Sequence, residues 1–533
     1  MHLAAALGRL SRWYPERTAL IDPNGTWTFG LFVARVNRLG NALRGQGLNN
    51  GDRVALLLPD IREYLEVDYG TMSAGLVRVP VDPRLNRKEL TAQLAHADVR
   101  ALITHSMFGE KVEGLAAELD DLKLIVGVGS RLAGAQGYEA LLQSASDRPL
   151  PAGSGEDLAA LNFSGGTTSA PKAIMLQHRN LLAAAQNIIQ GFSIGPDQVF
   201  LNVRPMWPIA QIQLLSHVLA GAAVVLADRF EPESLARLIM RCRADRTSLV
   251  PTQLVRFINH LERSYDSLQC LKTVHVGGSS IPPSVFERAL AVLGPRIGVH
   301  YGLTEAPVTT YLPPDRLDPK AGQHHLIDSV GRELFSSEVR IASNGTDSHS
   351  GDGDAGEVLI RGGHVMAGYW RDESATRRAL REGWLHTGDL GRIDEHGDIY
   401  IVGRLKDVIR SGSTTIVPKE IEDAIARHPA VAEVAVLGVP DTEWGEAVTA
   451  FVALNPDAAA SQSELIEYAR SQLSAFKVPK SVRFVTALPR SHYGKVLRTQ
   501  LFNEPFDATR TSLRSRETDR APIDQSTRRR NCP

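Results

Sequence analysis

Short apolar runs recur along the chain: VALLLP at 54–59, ALITH at 101–105, LIVGV at 124–128, LAALNF at 158–163, AAVVLA at 222–227, SLVP at 248–251, TVHVGG at 273–278 and IGVHYG at 297–302. Each is short, bounded by turn residues and followed by a helical segment, which is the pattern of buried strands alternating with helices. It predicts an α/β fold with mostly parallel sheets covered by helices. In such folds ligands collect where the strands end and the loops begin. The stretch Pro205 to Ala227 has no formal charge and is long enough to span a bilayer, but Pro208, Gln211, Gln213, Ser216 and His217 interrupt it. It reads as a buried helix, then Gly221, then a buried strand.

From about Gly403 the texture changes. A helix near Pro418 to Arg427, strands at 431–438 and 447–453, a helix near 462–474 and a strand at 481–485 predict a small α+β domain. The stretch 144–157 reads as a linker or surface crossing and 343–356 as a long turn between strands. The expected organisation is a large N-terminal α/β domain over 1–405, a small mobile C-terminal α+β domain over 406–502, and a tail over 503–533. That tail is charged, poor in large aliphatic residues and expected to be disordered.

With 533 residues the chain exceeds one compact core. Lys and Arg number 59 against 60 Asp and Glu, a formal charge of -1, so no global field draws it to nucleic acid or an anionic membrane. Any polyanion must be met by local charge. The three cysteines, Cys242, Cys270 and Cys532, are far apart and form no metal or disulfide pattern, which suits a reducing cytoplasm. The N-terminus, with an arginine inside its short apolar stretch, does not read as a signal peptide.

Between Asn162 and Ala173 the chain reads NFSGGTTSAPKA. Glycines allow close backbone approach to phosphate oxygens, and Ser, Thr and Lys add donors and charge, so the run can cradle a polyphosphate or serve as a polar linker. It is not a Walker loop, because Lys172 follows Pro171 rather than a glycine. Downstream, Tyr301 to Glu305 offers an aromatic face, a glycine and a carboxylate at a strand end. GWLHTGDLG (383–391) sets Asp389 in a glycine-flanked turn, where its carboxylate can take both hydroxyls of a ribose. GRLKDVIRSGSTTIVPKEIE (403–422) and LPRSHYGKVLR (488–498) place Arg404, Lys406 and Lys495 in glycine-marked turns. Taken singly, the tyrosine reads as a core residue beside a surface glutamate and the lysines as solvated surface charges, while the aspartate serves as well for a solvated turn as for a site.

Together, in this order, and with GEVLIRGGHVMAGYW (356–370) and AFKVP (475–479), the segments resemble the adenylate-forming superfamily of acyl-CoA and aryl-CoA ligases, peptide-synthetase adenylation domains and luciferases. The likeness runs from about Arg12 to Leu501. It implies that Ser164, Gly165, Gly166, Thr167, Thr168 and Lys172 hold the β and γ phosphates of ATP, with Gly278, Ser279, Tyr301 and Gly302 lining the nucleotide and Tyr301 stacked on adenine. Thr304 would stand near the α-phosphate, Glu305 and Thr168 would hold Mg²⁺, and Asp389 and Arg404 the ribose. Lys495 would bridge the substrate carboxylate and the α-phosphate, and Lys406 would be the hinge of the small domain. Trp207, Pro208, Gln211, Val276, Gly277 and Leu303 would line a mostly apolar pocket for a hydrophobic or aromatic acid.

The chain departs from the family pattern at several positions. Two phosphate-loop glycines are replaced by Ser169 and Ala173; where either position needs φ > 0, a Cβ costs about 1 kcal/mol. Ser413 and Thr415 stand where a glycine and an Asn or Lys are usual, and Pro208 where a histidine is frequent. The expected reaction is therefore acyl-adenylate formation with release of pyrophosphate. The acyl group of the small-molecule acid then passes from the adenylate to coenzyme A, or alternatively to an amine or a carrier-protein thiol. A nucleotide-binding protein that has lost catalysis is the reading from another class.

Overall fold

The computed structural model describes residues 1–163, 172–264, 268–317, 324–343, 346–348, 355–412, 414–456, 458–490 and 496–501. These divide into two compact units, one built from Met1–Lys406 and the other beginning at Asp407.

The first unit holds two large, mostly parallel sheets. One orders its central strands Ile297–Tyr301, Thr273–Val276, Arg246–Leu249, Val199–Asn202, Ala223–Leu226 and Thr18–Asp22, all parallel, with antiparallel strands at both edges. The other runs Ala173–Gln177, Leu158–Phe163, Val77–Pro80, Arg53–Leu57, Val99–His105 and Leu124–Val128. The apolar runs are strands of the two sheets, and most of their Leu, Val and Ile side chains are almost fully buried, each such side chain stabilising the fold by about 1.5–3 kcal/mol. Pro205–Ala227 folds as expected: the helix Gln211–Leu219, Gly221 at φ +79°, then the strand Ala223–Leu226.

One detail differs from the expected pattern of a helical segment after each apolar run. The strand Ala173–Gln177 intervenes, antiparallel to Leu158–Phe163, and the helix follows at His178–Gly191. The strands flanking 343–356, expected from sequence, belong to a third, antiparallel sheet whose other strands were not anticipated. Its strands Ser337–Ser343, Gly356–Gly362, Trp384–Ile393 and Ile399–Arg404 pair in that order.

In the second unit, Ile409–Ser411, Gly445–Leu454 and Val431–Asp441 pair antiparallel, and Ser481–Phe484 adds in parallel. The helices Pro418–Ile425 and Gln462–Gln472 contribute Ile421, Ile425, Leu465 and Ala469 to its core. The division into units falls between Lys406 and Asp407, inside the turn Leu405–Asp407.

Candidate active site

Asp389 lies directly opposite Arg404 in the antiparallel pair Trp384–Ile393 and Ile399–Arg404. Arg404 Nε stands 3.0 Å from Asp389 Oδ1, and the Tyr301 hydroxyl donates to Oδ2 at 2.7 Å. The Asp389 N–H donates to the Thr387 hydroxyl at 3.0 Å, and that hydroxyl donates to the Val358 carbonyl at 2.7 Å. Asp389 is only 4% exposed, so its carboxylate is a fixed acceptor rather than a solvated turn charge. Burial first, then the Asp389 charge, holds the Tyr301 hydroxyl protonated far above its ordinary range.

Tyr301 ends its strand, and the chain turns back within a few residues. Leu303 and Ala306 exchange backbone hydrogen bonds at 3.0 and 3.2 Å, and Thr309 N–H donates to the Tyr301 carbonyl at 2.8 Å. This closure needs glycine at 302, because a Cβ there would meet the Val308 nitrogen at 2.4 Å. Thr304 and Glu305 sit half-buried in the turn.

Glu305 is fixed from two sides. Its carbonyl accepts from Met366 N–H at 2.8 Å, and its Oε1 accepts from the Tyr369 hydroxyl at 3.0 Å. Tyr369 belongs to the short strand Gly368–Tyr369, paired with Ala173–Gln177, and the ammonium of Lys172 lies 4.7 Å from its ring centroid. Buried Asn180, in the first turn of the helix His178–Gly191, donates to the carbonyls of Gly363 and Val365 at 2.8 Å each. That anchor positions the strand. Lys172, Tyr369 and Glu305 thus form one continuous contact, of which Tyr369 was not singled out from sequence. Its signal was present in the GYW at the end of the 356–370 segment.

At the acid-pocket positions the arrangement is more polar than the residue list suggests. Trp207 is buried at 7% exposure, and Val276 is core. Leu303 packs partly buried against the core, and Gly277 lies against the His300 ring, where a Cβ would come within 2.5 Å. The Gln211 amide is engaged on both ends, accepting from Arg78 Nη1 at 2.6 Å and donating to the Tyr64 hydroxyl at 2.8 Å. Arg78 in turn pairs with Asp68 at 2.9 Å. Gly278, at φ +95°, and Ser279 are exposed just past the strand Thr273–Val276. Ser164, Gly165, Gly166, Thr167, Thr168, Ser169, Ser413 and Lys495, and the side chain of Pro208, lie outside the described residues. Ala173 is a buried strand residue and is absent from the positive-φ positions, so its Cβ carries no left-handed strain.

A family model described as AMP-binding enzyme matches residues 9–370, and one described as AMP-binding enzyme C-terminal domain matches 420–495. The chain belongs to the AMP-binding enzyme family. It is 33% identical over 497 residues to a feruloyl-CoA synthase from an Amycolatopsis species, covering 92% of this chain and 97% of that protein. Among solved structures, ATP-bound MatB from Rhodopseudomonas palustris superposes with a TM-score of 0.85 at 28% identity, covering 94% of this chain and 98% of that one. The amide bond synthetase McbA from Marinactinospora thermotolerans gives a TM-score of 0.85 at 27% identity, covering 94% and 99%. Among the described residues of this AMP-binding enzyme, no helix is long and apolar enough to cross a membrane.

Proposed function

We propose that this enzyme condenses a small-molecule carboxylic acid with ATP to an acyl adenylate and then transfers the acyl group to coenzyme A. The observation that carries the reading is the fixed Tyr301–Asp389–Arg404 cluster beside the Gly302–Glu305 turn, at the end of a parallel strand. Asp389 Oδ2 accepts from the Tyr301 hydroxyl while Oδ1 pairs with Arg404, and a carboxylate has room for further donors. The two hydroxyls of a ribose suit it, with the Tyr301 ring offered to adenine.

In the first step a substrate carboxylate oxygen attacks the α-phosphorus, the bond to the bridging β-oxygen breaks, and pyrophosphate leaves. An anion approaches a polyanion, so the barrier is chiefly electrostatic and positive groups lower it. Lys172 and Lys495 are assigned to that neutralisation, Lys172 at the departing phosphates and Lys495 at the α-phosphate. In the second step the thiol sulfur attacks the acyl carbonyl and AMP leaves. Lys406 is assigned as the hinge residue.

Glu305 is a half-buried hard oxygen donor facing a tyrosine hydroxyl, and one carboxylate combined with substrate phosphates is the usual manner of holding Mg²⁺. The residues therefore fit the ion, with Glu305 as its protein ligand together with Thr168. When bound, the ion would neutralise phosphate oxygens.

The second reading, transfer to an amine or a carrier-protein thiol, is favoured by Ser413, Thr415 and Pro208 at acceptor positions and by the likeness to the amide bond synthetase. Acid-dependent exchange of labelled pyrophosphate into ATP tests adenylation itself, and its absence with every acid would sink both readings. Supplying coenzyme A or amines in turn then decides the acceptor: product from an amine but not from coenzyme A replaces the first reading with the second.

A further inference from the structure

Four arginines of the described residues are buried: Arg62, Arg78, Arg204 and Arg246. Three have compensation. Arg62 pairs with Glu66 at 2.9 Å, Arg78 with Asp68 at 2.9 Å, and Arg246 donates to the Phe192 carbonyl at 2.6 Å and the Ser193 carbonyl at 3.2 Å. Arg204 is different. It is 2% exposed, and its Nη1 donates to the Ser248 hydroxyl at 2.8 Å. Its Nη2 is buried with no hydrogen-bond partner among the described residues. Burial lowers its pKa, to about 10, with no acid among the described residues raising it again.

The free edge has a definite outlook. Arg204 follows the strand Val199–Asn202, its carbonyl held by Asn202 Nδ2 at 2.8 Å, and Ser248 belongs to the parallel neighbour Arg246–Leu249. Nη2 lies 3.9 Å from the point where a Cβ on exposed Gly278 would stand, and Val250 Cγ1 is 3.8 Å from the same point. Glycine at 278 keeps a side chain off the guanidinium edge, which in this structure is closed to solvent, at the strand ends where ligands of such sheets gather. Two further buried polar atoms, Gln213 Oε1 and His300 Nδ1, are also unpartnered among the described residues. Gln213 Nε2 and His300 Nε2 stand 3.5 Å apart. Burial, then the Arg204 charge, lowers the His300 pKa to about 3, so its ring is neutral.

We infer that Arg204 is a specificity residue of the acid pocket, selecting acids that carry a second carboxylate, which its free Nη2 edge receives beneath Gly278. A buried cation without a counter-charge is costly, and an incoming anion removes that cost while a methyl group leaves it in place. The planar guanidinium suits a carboxylate in particular. This inference rests on the acid-ligase reading proposed above, and it turns the apolar pocket expected from sequence into one with a charged wall.

The test compares pairs of acids equal in length and shape, one ending in a carboxylate and the other in a methyl group, by kcat/KM in acid-dependent pyrophosphate exchange. The wild type is expected to favour the dicarboxylic member by at least about 30-fold. Arg204→Met should abolish or invert that ratio, and Arg204→Lys should keep part of it, with circular dichroism and melting curves reporting whether each variant folds. Equal or better turnover of the methyl-ended acids by the wild type overturns the inference without need of any variant, leaving an ordered water as the occupant of that edge. Preference for a neutral distal amide over the carboxylate overturns the anionic class, and a dicarboxylate preference unchanged in folded Arg204→Met overturns the role of Arg204. Absence of exchange with every acid sinks the ligase reading itself, a result distinct from exchange without preference.

Discussion

The Tyr301 hydroxyl donates to Asp389 Oδ2 at 2.7 Å while Arg404 Nε stands 3.0 Å from Oδ1, so one carboxylate ties the end of a parallel strand to two strands of the antiparallel sheet. Replacing it removes the acceptor proposed for ribose and strands a buried phenol. Asp389→Ala is expected to raise the KM for ATP about 10- to 100-fold, the effect of losing a hydrogen bond to a charged group. It should also cost about 1–3 kcal/mol of stability through the unpaired Tyr301 hydroxyl. Tyr301→Phe keeps the ring and should change KM only a few-fold, about 1 kcal/mol. Exchange kinetics and denaturant melts of the two variants read both effects, and an unchanged KM in Asp389→Ala would remove the ribose assignment.

Glu305 is oriented by the Tyr369 hydroxyl at 3.0 Å. If its carboxylate holds a cation together with the phosphates, Glu305→Gln should lower the exchange rate roughly 100- to 1000-fold. Tyr369→Phe leaves the charge and frees its rotation, so its effect should appear mainly as a higher Mg²⁺ concentration for half-maximal exchange. A Mg²⁺ titration separates the two. Identical titration midpoints in wild type and Tyr369→Phe would mean that the tyrosine does not position the acid.

Much of this arrangement was legible as residue types and little of it as geometry. The apolar runs announced the parallel strands because two-sided burial demands continuous Val, Ile and Leu. AIML before Gln177 carries the same signature but is too short to separate strand from helix by period, so the hairpin with Leu158–Phe163 was missed. Asp389 and Arg404 could be named from glycine-marked segments that read as turns but fold as strands, and their standing opposite each other depends on the register of an antiparallel pair that shifts between Leu390 and Gly391. Arg204 was passed over for a simpler reason. A lone arginine after an apolar strand ordinarily reaches solvent, and only the packing of neighbouring strands encloses it.

Lys495 is assigned to the first half-reaction alone. Lys495→Ala should abolish pyrophosphate exchange yet largely spare acyl transfer from a supplied acyl adenylate, since the phosphorus–oxygen bond is then already made. Assaying both half-reactions on one preparation provides the internal control for folding. Equal loss of the two would refute the assignment and point to a structural role instead.

Asp60 offers a test independent of any substrate. Its Oδ1 accepts from Met206 N–H at 2.7 Å, at the start of the segment that leads through Trp207 to the helix Gln211–Leu219. Burial raises its pKa from 3.8 to about 6, outweighing the lowering effect of that hydrogen bond. The folded protein therefore holds this proton more tightly than the unfolded chain, and between about pH 4 and pH 6 the native state binds more protons. The contribution of this one group to stability must fall as pH rises through that window, and its loss is complete above the folded pKa. About two units at 1.36 kcal/mol each set an upper bound of ~3 kcal/mol. Asp60→Asn keeps an oxygen for the Met206 N–H and removes the titration. Buried Asp68, whose carboxyl burial also raises to about 6 despite Arg78, titrates in the same window in both proteins and cancels in the comparison. From pH 4.5 to pH 6.5 the urea midpoint should therefore rise less, or fall further, in the wild type than in Asp60→Asn, because buried histidines such as His178 and His300 act in the opposite sense equally in both proteins; equal shifts would place the Asp60 carboxyl at its ordinary pKa.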